Sequence, residues 1–116
     1  MRLLSPIAFL LLLGGAAGEE DGNGRCEISD GEFAWSGPCI IERQGAHDVT
    51  LGWLPGHRFP FGWSGIFITS ADGRTARLRV HISFGDDHEL GTMRRSATEP
   101  DCWLAETLKI CARERR

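Results

Sequence analysis

Tyrosine is absent from these 116 residues, which leaves four tryptophans and six phenylalanines as the whole aromatic inventory. No Cys-x-x-Cys unit occurs, so the spacing that builds a zinc site is missing. No Gly-x-Ser-x-Gly elbow occurs either; the nearest stretch, Gly62-Trp63-Ser64-Gly65, lacks its pattern. Positive charge is not in excess: the formal net charge is −3. That argues against nucleic acid, which needs a strongly basic face. Lysine occurs once, at Lys109, against twelve arginines, a bias of base composition without functional weight. No apolar run is long enough to span a bilayer, the longest being Leu3 to Leu13.

That run has a different meaning at the start of a chain. A charged Met1-Arg2, a short apolar centre and the small residues Gly14-Gly15-Ala16-Ala17-Gly18 are the parts of a secretory signal. Residues 1–18 are therefore read as a signal peptide cleaved after Ala17 or Gly18, with a retained N-terminal anchor as the alternative. The first cysteine is Cys26, too far on for lipid attachment at the new terminus. Residues 19–25 are polar and glycine-rich and are expected to form a flexible lead-in. Residues 26–112 are expected to form one domain, and 113–116 a charged, fraying tail.

Four cysteines in an exported chain, Cys26, Cys39, Cys102 and Cys111, read as two disulfides in an oxidising compartment. Three pairings are possible. The local one, Cys26–Cys39 with Cys102–Cys111, closes two short loops and stabilises by roughly 2–3 kcal/mol each on the loop-entropy model.

The domain is expected to be all-β. Residues 75–84 alternate without a slip: Ala76, Leu78, Val80, Ile82 and Phe84 on one face, Arg77, Arg79, His81 and Ser83 on the other. That is a strand with one buried and one wet face. Before it, 26–29 reads as a strand turning at Asp30-Gly31 into 33–35, with Gly37-Pro38 making a second bend before a strand at 39–42. A strand at 48–54 has Val49 and Leu51 on one side. Residues 66–69 pair back onto the arginine strand through Ala71-Asp72-Gly73. A three-residue loop with Gly73 left-handed sets Ile66 opposite Leu78 and Ile68 opposite Ala76, keeping the apolar faces together. A turn at 85–88 leads into a strand at 90–95. Residues 102–111 have two readings. A hairpin turning at Glu106-Thr107 pairs Cys102 with Cys111, Trp103 with Ile110 and Ala105 with Leu108, all matched in character. A helix would hold the two cysteines about 13 Å apart, so the hairpin is preferred. Seven to eight strands with short connections predict a small antiparallel meander, folded sheet or barrel.

Three groups of residues could carry function. Arg77, Arg79 and His81 lie about 7 Å apart along the wet face; such a row could grip an anionic ligand, or its members could pair with neighbouring strands. The loop holding Phe59, Phe61 and Trp63 has the residue types that dominate binding surfaces and could stack on a glycan, or its rings could cap the barrel as core. Asp86-Asp87-His88-Glu89 invites a metal reading, but adjacent residues at a turn cannot all face inward and the calcium-loop spacing is missing. With all four cysteines bridged, no cysteine nucleophile remains. No catalytic residue, metal or cofactor is expected.

The segments Leu90-Gly91-Thr92-Met93-Arg94-Arg95, Cys102-Trp103 and Ile110-Cys111-Ala112, with Gly37-Pro38-Cys39 near the front, resemble small exported two-disulfide proteins of α-proteobacteria. The resemblance implies an exported two-disulfide β domain and assigns no activity. Periplasmic inhibitors of lysozyme share the size, compartment and small β fold, but their Ser-Gly-x-x-Tyr signature is missing here. The expectation is thus a periplasmic or secreted, non-catalytic binding module. Its partner would be an extracytoplasmic protein, a glycan or an anionic ligand. Inhibition of a secreted hydrolase such as lysozyme is the alternative, and a small hydrolase with an unrecognised site a third reading.

Overall fold

The structure, a computed structural model, describes residues 22–83 and 85–115. The expected signal peptide, residues 19–21 of the lead-in, Phe84 and Arg116 lie outside the described residues. Eight antiparallel strands close into a barrel in chain order. They are β1 (Gly24–Asp30), β2 (Phe33–Gln44), β3 (Asp48–Gly52), β4 (Trp63–Thr69), β5 (Thr75–Ile82), β6 (Asp87–Arg95), β7 (Cys102–Ala105) and β8 (Leu108–Glu114). Pairing of β1 with β8 closes the ring. Only one helical turn, a 3-10 turn at Pro60–Gly62, interrupts the strands among the described residues.

The period-two pattern of β5 is realised in its burial. Ala76, Leu78 and Val80 point into the barrel, while Arg77, Arg79 and His81 are exposed. Ile28, Leu51, Ile66, Ile68, Met93 and Ile110 meet them inside, all but sealed from solvent. Each such side chain contributes about 1.5–3 kcal/mol by leaving water.

Both disulfides form as the local pairing, with different geometry. Cys102 faces Cys111 directly across β7 and β8, at a Cα separation of 4.0 Å. The predicted hairpin is present residue for residue, with Glu106 taking the left-handed turn position at φ 51°. Cys26 instead faces Gly37 and reaches Cys39 diagonally, at a Cα separation of 5.8 Å.

That diagonal corrects the expected bend at Gly37-Pro38. Strand β2 runs straight through both residues. The turn before it is Gly31-Glu32, one residue later than expected, with Gly31 left-handed at φ 64°. Pro38 is tolerated because it faces Arg25 on one side while β3 does not begin to pair with β2 until Ile40. The β4–β5 register also differs from expectation. Ile66 faces Val80 and Ile68 faces Leu78, two residues further on, because the last pair is Thr69 with Arg77, which leaves residues 70–76 in the connection. Ser70 and Asp72 stabilise this longer loop. The Asp72 carboxylate accepts from the N–H groups of Arg74 and Thr75, and Gly73 N–H donates to Ser70 Oγ. A shift of two leaves each residue on its predicted face.

Order also extends beyond both expected domain ends. Gly24 and Arg25 belong to β1, and Asn23 closes the seam beside it. The Asn23 side chain donates to Ile41 O at 2.8 Å and accepts from Ile41 N at 2.7 Å, standing in for a strand residue. At the other end, Arg113 and Glu114 are part of β8 rather than a frayed tail. Arg113 reaches Glu27 with Nε and Nη2 and also contacts Glu99 and Asp101, which fastens the 96–101 loop beside the Cys102–Cys111 bridge.

Candidate functional site

The upper end of the barrel carries the turns 31–32 and 106–107 and the connection from β5 to β6. Strand β3 is short and stops at Gly52. Above it, the gap between β2 and β4 is filled by residues 53–62, whose prolines and glycines prevent a regular ladder. His57 N–H donates back to Leu54 O at 2.8 Å to make a tight turn. The chain then delivers its rings alternately. Phe59 points inward, 4% exposed, with its ring edge-on to Trp35 at 5.5 Å. Trp63 is likewise buried. Phe61 between them points out and is 48% exposed.

Phe61 sits in the left-handed region at φ 66°, a conformation that costs a bulky residue of order 1 kcal/mol or more. Surrounding contacts hold it there. Gly62, also left-handed, gives its carbonyl to Ser83, which donates both its N–H and its hydroxyl, at 3.0 and 3.2 Å. The Phe61 ring lies 5.2 Å from Phe33 and 5.0 Å from Trp63. Phe33 is itself 44% exposed. Beside this cluster, the Arg58 guanidinium lies over Trp53 at 5.2 Å. The predicted loop residues therefore divide: Phe59 and Trp63 are core, and Phe61 with Phe33 forms an exposed aromatic surface. Phe33 was not singled out in the sequence, where it reads only as the start of a strand.

The arginine row is assembled as expected but is internally neutralised. Glu89 pairs with Arg77, and Asp87 takes both Arg79 and His81 Nδ1, the latter at 2.7 Å. The hydrogen bond from His81, with the nearby Arg79 charge, holds the Asp87 carboxyl below its ordinary range. Arg79 also lies over the Phe67 ring at 4.5 Å. Within residues 86–89, Asp87 and Glu89 are strand residues committed to β5, whereas neither Asp86 nor His88 has an ion pair among the described residues. The Asp87–His81 contact resembles half of a hydrolytic triad, but Ser64 Oγ donates to the His81 main-chain carbonyl rather than to its ring. Among the described residues, no group of three or more His, Cys, Asp or Glu could hold a metal ion, and no helix is long and apolar enough to cross a membrane.

No protein-family model matches this chain, and no curated protein or solved structure matches it significantly.

Proposed function

We propose that this protein is an exported, non-catalytic binding module that meets its partner through the aromatic upper end of the barrel. The observation that carries the reading is Phe61. An exposed aromatic ring is held in a left-handed conformation and flanked by a second exposed ring, an arrangement that core packing does not require. Exposed, rigid aromatics give large contact area at small entropic cost. The arginine face supports binding less well, since an incoming anion must compete with Glu89 and Asp87 for cations already paired. Two formed disulfides indicate an oxidising compartment. The secretory pattern of residues 1–18 and the resemblance to exported α-proteobacterial proteins favour the periplasm or the exterior.

Inhibition of a secreted hydrolase such as lysozyme is a second reading. Ser83 ties the 83–86 turn to Gly62, so Asp86 would accompany the rings into a partner's cleft.

NMR titration of the ¹⁵N-labelled mature domain tests the proposal. The probes are soluble glycans, heparin as a polyanion, and lysozymes. The expected perturbations centre on Phe33, Phe61 and Trp63. Perturbations centred on Arg77, Arg79 and His81 would contradict it.

A further inference from the structure

We propose that the free edge of β6 is a docking site for a short, extended, basic segment of a partner protein, which joins the barrel as an added strand. Strand β5 pairs with β6 along nearly its whole length, from Arg94 to Asp87. On the opposite side β7 pairs with β6 only at Arg94–Leu104 and Arg95–Trp103. From Asp87 to Met93, no described strand covers that side. A slit of about 360 Å³ opens there, bordered by Leu90, Gly91 and Thr92 of β6 and by Ala105, Glu106 and Leu108, next to the buried Leu78 and Met93.

The residues of β6 keep this slit open. Gly91 faces Leu78 and His88 faces Val80, the register positions at which other strands supply large apolar side chains. A Cβ added at Gly91 would meet nothing within 4 Å. Leu90, the extra residue in the irregular stretch between Leu78 and Arg79, is 48% exposed. An edge strand offers unpaired N–H and C=O groups, and a peptide strand can satisfy them while the exposed Leu90 gives it an apolar contact. Residues 88–93 give an edge of about 20 Å, enough for a strand of five or six residues.

Charge selects the occupant. Asp30 and Glu106 line the slit, and neither is ion-paired among the described residues; Asp30 only accepts from the Thr107 hydroxyl. Across β6, Asp87 and Glu89 are already neutralised by β5. The unpaired charge at the slit is therefore acidic, and a lysine- or arginine-bearing strand complements it. This surface is distinct from the Phe33–Phe61 pair and does not depend on it.

The test uses a capped hexapeptide of alternating Lys and Val, its Glu/Val counterpart, and a Lys/Val peptide N-methylated along one edge. NMR titration and amide hydrogen exchange are read on the mature domain. The Lys/Val peptide is expected to slow exchange between His88 and Thr92 at peptide concentrations up to about 1 mM. The acidic and N-methylated peptides are expected to leave exchange unchanged. Glu106→Lys should weaken the basic peptide about threefold to tenfold. Phe61→Ala should leave it unaffected while the spectrum keeps its dispersion. Four results overturn the proposal: no protection at β6, equal binding of the N-methylated peptide, equal binding of the acidic peptide, or loss of binding in Phe61→Ala. Protection at β6 that grows with protein concentration alone assigns the edge to a second copy and overturns it as well.

Discussion

The Phe61 ring lies 5.2 Å from that of Phe33, joining the loop before β4 to the start of β2 across the gap that β3 leaves. One of these rings hangs on a left-handed residue, and both are exposed. The contact closes the upper end of the barrel from outside, while Phe59 plugs it from within.

This division of labour gives a contrast in stability. Phe59→Ala removes a buried ring and should cost about 3–5 kcal/mol. Phe61→Gly loses ring contacts of about 0.5–1.5 kcal/mol each but also relieves the left-handed backbone. Its net effect should stay within about 1 kcal/mol. Urea denaturation of the two variants checks the contrast.

Asn23 should matter more than its place at the edge of the described chain implies. Asn23→Ala removes two hydrogen bonds to Ile41 at the β1–β2 seam. A loss of about 1–2 kcal/mol is expected, with faster amide exchange at Ile41. An unchanged melting temperature and exchange rate would show that the seam closes without it.

What could be read from the chain alone follows from where the physics is local. Strand β5 was legible because its alternation separates core from solvent residue by residue. The β7–β8 hairpin was legible because every cross-strand pair matches in character, Cys102 with Cys111 first among them. The straight passage of β2 through Gly37-Pro38 was not, since it depends on how short β3 is. The β4–β5 register slipped by two because Ser70 and Asp72 stabilise a longer loop through side-chain hydrogen bonds that composition does not reveal. Phe61 and Trp63 look alike in the sequence, and their opposite fates follow from the left-handed turn at Phe61 and Gly62. The slit beside β6 had one visible signal, the Gly91 and His88 positions that interrupt the apolar face.

Removing either disulfide as a Cys→Ala pair should cost about 3 kcal/mol on the loop-entropy model, since the two loops are of similar size. The sequence separations are 13 and 9 residues. All four cysteines are sealed from solvent, so each removal also leaves a cavity that adds to this cost. Non-reducing peptide mapping should return only the local linkages; a Cys26–Cys111 peptide would contradict the fold.

Acid should destabilise the domain through specific carboxylates. Asp72 is held below the ordinary range chiefly by the main-chain N–H of Thr75, Asp87 by the hydrogen bond from His81, and Glu99 by Lys109. Each binds protons less readily folded than unfolded. The stabilisation is thus present above the unfolded values, about pH 4, and is lost as the pH falls through the lower folded values. The melting temperature should decline below about pH 4, and Asp72→Asn should flatten that decline. A melting temperature that rises on acidification would contradict the assignment.

The most direct test of the aromatic end is a thermal-shift comparison of four proteins. The wild type, Phe61→Ala, Phe33→Ala and the Arg77→Ala/Arg79→Ala double variant are each screened against the same glycans, heparin and lysozymes. The account predicts a ligand-induced shift in the wild type and the arginine variant that is lost in both phenylalanine variants. A shift kept by the phenylalanine variants and lost from the arginine variant would move the site to the wet face of β5 and contradict the account.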